Sequence, residues 1–276
     1  MGLRISTNIA SENVQRNLSQ VSGKSAENLA RLSSGKRINK AADDAAGLAI
    51  AKNLEAQTTG LRQASRNAND GISLVQTAEG GLNEVSNILT RMRELTIQAS
   101  SDTVGENERG YLDMEYQQLV EEVDRIANTT TFNGTNLLNG EVGGVMEFHV
   151  GANADERNRI EFDASKSNAQ VSALGINGTG VAAKDNARNS IEKIDGAIDK
   201  VNSHRASLGS IQSRLQSTVA NLDNQVVNQE AARSVIEDAD IARETSELAA
   251  NNVLSQAGVA TLAQANSLPN SAMALI

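Results

Sequence analysis

The last stretch of the chain limits what the rest can be. From Leu248 to Ile276 no side chain is charged. Yet Asn251, Asn252, Ser255, Gln256, Thr261, Gln264 and Asn266 interrupt the apolar residues, whereas a membrane-spanning helix needs ~20 predominantly apolar ones. What remains is Leu, Val and many Ala, a mixture that favours helix. A helix without charge on any face is expected to be covered on most sides. One chain of this composition has little with which to cover it, so the expectation is a self-assembling protein whose terminus is enclosed by other copies.

Composition narrows the fold class. The 276 residues include no Cys, no Trp, one Pro and only 2% aromatics, with a formal net charge of −9. Aromatic side chains normally supply much of a large globular core, so their scarcity together with abundant Ala, Leu, Glu and Gln points to long packed helices. Without Cys there is no disulfide framework and no thiolate metal site. The acidic balance argues against broad nucleic-acid binding, which needs a basic surface. The opening MGLRISTNIASENVQ lacks the apolar run and cleavage site of a Sec-type signal peptide.

Two heptad seams carry the plan. Between Gly47 and Ala99, Leu54, Leu61, Val75, Leu82 and Leu89 recur at sevens, interleaved with Ile50, Val85 and Met92, and broken at Gln57 and Gly71. Such a seam marks a helix packed lengthwise on others. Gly71 and the Gly80-Gly81 pair predict bending or very close packing. The second seam runs from Ala187 to Val226 through Ile194, Val201, Leu208, Leu215 and Leu222, with Arg205 and Gln212 as polar entries. A shorter amphipathic helix is expected over 107–127. At the N-terminal end, Ile5, Ile9, Val14, Leu18, Val21, Leu29 and Leu32 form a thin helical stripe, marginal alone, for which the uncharged C-terminal helix is the natural partner.

The period breaks in two places. Residues 33–47 predict a connector, with Gly35 ending one helix and Asp43 or Asp44 capping the next. A phosphate loop around Gly35-Lys36 fails, because Ala30 and Arg37 stand where the motif needs Gly and Ser or Thr. Residues 129–140 are rich in turn signals, including Asn133-Gly134 and Asn139-Gly140. Val145–Val150 and Arg159–Phe162 read as short strands. His149 and His204 stand far apart and form no His-Glu-x-x-His zinc helix, and no nucleophile–base set can be assembled. No cofactor, metal site or catalytic residue is expected. The fold class is mainly α: a long, antiparallel, coiled-coil-like bundle with a small β-hairpin insert, its N- and C-terminal halves packed together.

Several long strings then carry a family resemblance. LSSGKRINKAADDAAGLAIA (32–51), RNANDGISLVQTAEGGLNEV (66–85) and MRELTIQAS (92–100) resemble the N-terminal half of bacterial flagellins, the filament subunits of the flagellum. FNGTNLLNG (132–140) and FHVGAN (148–153) resemble their central motifs, and RASLGSIQSRLQSTVANL (205–222) with NNVLSQAGVATLAQAN (251–266) their C-terminal half. The large variable outer domain that many flagellins insert is missing; only about 141–186 is available for it.

The resemblance implies a layered organisation. Residues 1–34 with 236–276 would form the inner assembly coiled coil, 35–46 with 227–235 connectors, and 47–226 the bundle, with a small β portion at 129–176. Assembly contacts would involve Ile5, Ile9, Leu18, Val21, Leu29 and Leu32, and Leu248, Val253, Leu254, Leu262 and Leu268. It further implies a structural subunit rather than an enzyme, exported by the flagellar type III apparatus to an extracellular filament used for swimming motility. Its partners would be itself, an export chaperone on the C-terminal helix, the flagellar cap and the hook-junction proteins, with no membrane insertion. Arg91, Leu95 and Glu115 match a patch sensed by a vertebrate Toll-like receptor. A hook–filament junction protein is the alternative reading.

Overall fold

Heptad spacing sets where the helices lie, and a computed structural model describes residues 8–141 and 145–273 of the chain. The order is α1 (Ile9–Ser34), α2 (Ala45–Ala99), α3 (Glu106–Thr129), β1 (Thr131–Phe132), β2 (Thr135–Asn136), β3 (Val145–His149), β4 (Arg159–Asp163), α4 (Val171–Leu174), α5 (Lys184–Glu237) and α6 (Ile241–Met273). The protein is mainly helical with two small antiparallel hairpins. It divides into two units: residues 1–56 with 228–276, and residues 57–227.

The larger unit has its own core. From α2 it takes Val75, Leu82, Val85, Leu89 and Met92; from α3, Tyr116, Val123 and Ala127; from α5, Ile194, Val201, Leu208 and Leu215. Leu61 and Leu222 are buried in a small separate cluster with Ala64. The polar entries of the α5 seam, Arg205 and Gln212, are half-buried. In the smaller unit Leu54 is half-buried, whereas Ile50 is exposed and its neighbour Ala51 is buried instead.

Turn chemistry places the insert. Asn133 (φ 49°) and Gly134 (φ 78°) both adopt positive φ, the requirement of the two-residue turn whose twist matches a hairpin, and they join β1 to β2. β3 and β4 pair antiparallel from Val145 opposite Asp163 to His149 opposite Arg159, with an Arg159–Glu147 ion pair at 3.0 Å across them. β4 buries Ile160 and Phe162 on one face, the alternation of a half-covered strand. The insert sits against glycines of α2: a Cβ on Gly71 would lie 3.1 Å from the Phe148 ring, and one on Gly81 2.7 Å from Leu138 Cδ1. Gly80 faces open space, so of Gly71, Gly80 and Gly81 close approach belongs to the first and last.

In the smaller unit, Gly35 (φ 70°) ends α1, its N–H donating to the Arg31 carbonyl at 2.8 Å. Asp44 caps α2, accepting from the Gly47 N–H at 2.8 Å. Asp43 instead orders the connector, accepting from the Asn39 and Lys40 N–H groups at 3.0 and 2.9 Å, and these two bonds hold its carboxyl below the usual range. Residues 227–235 are helical, part of an α5 that runs on to Glu237; the break comes only at 238–240. The seam holds to Val226, which packs beside Leu222, and the heptad phase shifts after it without loss of helix.

Candidate assembly surface

The two terminal helices pack along each other as an antiparallel pair. Asn8, the N-cap of α1, accepts from the Ser11 N–H and donates its Nδ2 to the Ala265 carbonyl at 2.8 Å. A Cβ on Gly258 would lie 3.2 Å from Leu18 Cδ1, so Leu18 fills the space that the glycine leaves. At the other end Arg31 reaches Glu244 at 3.3 Å and Lys36 reaches Glu237 at 2.5 Å. There the chain also forms a short main-chain bridge, with Arg37 N–H donating to the Glu237 carbonyl at 2.7 Å and Ala239 N–H to the Gly35 carbonyl at 2.9 Å.

Besides Arg31, covered positions on α1 are Ser11, Val14, Leu18, Val21, Ser25, Asn28 and Leu32, alternating steps of three and four. On α6 they are Glu244, Leu248, Asn251, Ser255, Gly258, Leu262 and Ala265, with the same spacing. Of the residues singled out from the sequence, Val14, Leu18, Val21, Leu32, Leu248 and Leu262 lie on this seam. Ile5 and the Leu268 side chain lie outside the described residues. Ile9, Leu29, Val253 and Leu254 do not take part in the pairing: they are 54%, 61%, 66% and 55% exposed. Hydropathy found only the apolar part of the seam, because most of its members are Ser, Asn, Gly, Ala or Glu. The unbroken three-four spacing of those residues was the available signal.

The pair therefore has two kinds of surface. Its seam mixes small and polar side chains with Val14, Leu18, Val21, Leu32, Leu248 and Leu262, while other apolar side chains, Val259 among them, are exposed.

The receptor-type patch needs a correction. Leu95 is 1% exposed and belongs to the core of the larger unit, because it lies on the inward face of α2. Arg91 and Glu115 do reach the surface, joined by two hydrogen bonds of 2.9 and 3.1 Å; those to Glu115 and then Glu94 raise the Arg91 guanidinium further above its already high range. The histidines offer no centre. His149 accepts through its main-chain carbonyl from Asn67, and burial, aided by the Lys200 charge, pushes His204 below its usual range. Among the described residues no three His, Cys, Asp or Glu side chains gather as a metal site, and no helix is long and apolar enough to cross a membrane.

Known proteins share this plan. Residues 5–142 match the family described as the bacterial flagellin N-terminal helical region, and residues 191–276 the bacterial flagellin C-terminal helical region. The chain is 45% identical to a flagellin of Halalkalibacterium halodurans, with 99% of each covered. It is 40% identical to the flagellar filament 31.3 kDa core protein of Treponema maltophilum, covering 91% of this chain and 92% of that one. The crystal structure of Bacillus cereus flagellin is 34% identical, with a TM-score of 0.51 over 61% of this chain and 94% of that one. With likeness of that extent running through both helical ends and the centre between them, the chain belongs to the bacterial flagellin family.

Proposed function

We propose that this protein is the structural subunit of a bacterial flagellar filament, polymerising with copies of itself outside the cell to serve swimming motility. The observation that carries this is the uncharged part of α6 from Leu248 on, where Val253, Leu254 and Val259 stand exposed, as Ile9 and Leu29 do on the α1 paired with it. Each Å² of apolar area removed from water contributes roughly 25 cal/mol, so covering these residues with other subunits favours assembly. Contacts between different patches of identical subunits extend indefinitely when their rotation does not close, giving an open helical polymer. The work is mechanical, and the protein is not an enzyme.

Further partners follow from the same reading. An export chaperone would take α6 before assembly, the type III apparatus would deliver the chain, and a cap and hook-junction proteins would bound the polymer. Arg91 and Glu115 are the part of the receptor-type patch available to a soluble partner. The hook–filament junction reading has less support, since full-length likeness favours a flagellin. Electron microscopy of purified protein after salt-induced polymerisation is the test. Long filaments are expected; particles that never elongate, even on filament seeds, would instead fit the junction role.

A further inference from the structure

Three Asn-Gly dipeptides lie in the larger unit, at Asn133-Gly134, Asn139-Gly140 and Asn177-Gly178. Such a pair carries its own chemistry. The main-chain N of the Gly, on losing its proton, attacks the Asn Cγ; the carboxamide C–N bond breaks, and ammonia leaves with the equivalent of that proton. The cyclic imide then takes up one water. Opening on one side gives Asp, and opening on the other gives isoaspartate, whose main chain runs through the former side chain. Glycine allows the attack because it has no Cβ to block close approach. All three pairs share this, so the fold decides which one reacts.

Asn139 is 3% exposed and held at both ends of its carboxamide: Oδ1 accepts from the Glu141 N–H at 3.0 Å, and Nδ2 donates to Glu141 Oε2 at 2.8 Å. Asn133 is exposed, but it sits at positive φ in the β1–β2 hairpin turn. Flipping the Asn133–Gly134 peptide leads to the turn geometry that calls for Gly at the Asn133 position, so ring closure there must open the hairpin. Asn177 has neither restraint. It and Gly178 are exposed, between buried Ile176 and buried Thr179. Thr179 closes the turn from outside the reacting pair, its N–H and Oγ1 donating to the Ile176 carbonyl at 3.2 and 2.7 Å. With Gly178 at φ 68° the central peptide can flip while that closing bond stays, as the two common turn geometries show. Among the described residues the Asn177 carboxamide and the Gly178 N–H enter no hydrogen bond, and a Cβ on Gly178 would meet nothing within 4 Å.

We propose that Asn177 is a site of spontaneous deamidation and isomerisation, the first of the three pairs to convert. The change reaches beyond the turn. Isoaspartate adds a methylene to the main chain between Ile176 and Thr179, the two residues whose closeness defines the turn. Thr179 also accepts from the buried Tyr116 hydroxyl and, through its carbonyl, from Gln117 Nε2 at 3.1 Å. Isomerisation therefore slackens the tie between α3 and the segment that leads into α5. The Asp product alters charge alone, at an exposed tip, and leaves the tie in place.

The test is to age the full chain in mildly alkaline buffer and follow each Asn-Gly peptide by mass, with fragmentation that tells isoaspartate from Asp. Asn177 should convert ahead of Asn133. It should outrun Asn139 by about tenfold or more, because both side-chain bonds of Asn139 must open first. In concentrated urea the three rates should draw together. Asn133 or Asn139 keeping pace with Asn177 in the folded chain would overturn the assignment. So would an order that persists in urea, since neighbouring sequence rather than the fold would then set it. The structural consequence is read separately, by melting. Aged parent should melt below an Asn177→Gln variant aged alongside it, while fresh Asn177→Asp should melt close to fresh parent. Equal melting of the two aged proteins, once the parent has converted, would overturn the slackened tie. No step requires a filament, so the result stands apart from whether the chain polymerises.

Discussion

Tyr116 shows how much one side chain settles in a protein with so few aromatics. It is fully buried on α3, and its hydroxyl donates to Thr179 Oγ1 at 2.6 Å, which in turn donates to the Ile176 carbonyl at 2.7 Å. The ring ties α3 to the segment leading into α5, where Asp113 also accepts from the Val181 N–H at 2.6 Å. Burial raises the phenol above its ordinary value of 10.0, outweighing the Thr179 bond that lowers it. A folded value above the unfolded one means that this stabilisation is complete below about pH 10 and is lost as pH rises through the folded value. Tyr116→Phe should therefore cost about 1 kcal/mol at neutral pH, and the gap to the parent should shrink as pH climbs past 10. Urea unfolding at pH 8 and pH 11 checks this; a gap that widens at pH 11 would contradict the sign.

At the scale of elements, the two long seams were legible because their heptads are built from Leu, Val and Ile, which mark an inward face by type as well as by spacing. The insert was legible at Asn133-Gly134, where only residues tolerant of positive φ fit. The α1–α6 seam was legible only through Val14, Leu18, Val21 and Leu32, since Ser25, Asn28, Asn251 and Gly258 look like solvent-facing residues until a partner is placed beside them. Nor could the sequence divide Gly80 from Gly81, adjacent and identical on α2. The structure does: a Cβ at Gly81 would meet Leu138 Cδ1 at 2.7 Å and Thr130 Oγ1 at 2.8 Å, while one at Gly80 meets nothing within 4 Å. Gly81→Ala is expected to destabilise by ~1–3 kcal/mol through overpacking. Gly80→Ala should stabilise by roughly 0.5–1 kcal/mol through lower helix entropy cost. Thermal melts of the two variants against the parent give the comparison, and shifts of the same sign would refute the packing assignment.

For the whole molecule, folding and assembly draw on different residues of the same two helices. Leu262 lies on the seam and contributes to pairing α1 with α6; Leu254, on the same helix, lies off the seam and is 55% exposed. A monomeric protein would gain from a polar residue at such a position, and α6 instead carries no charge beyond Glu247 over its described length. The cost of that exposure is recovered only when another subunit covers it, which separates the two positions experimentally. Leu254→Asp should leave helix content and melting within about 0.5 kcal/mol of the parent, as surface substitutions do, yet stop filament growth, because assembly would bury an unpaired carboxylate. Leu262→Asp should loosen the α1–α6 pair itself, seen as lost helical signal before any polymerisation. Sedimentation after seeding, read beside circular dichroism of the dilute chain, distinguishes the two. If Leu254→Asp chains elongated at the parent rate, Leu254 would not lie on the surface where the subunits meet.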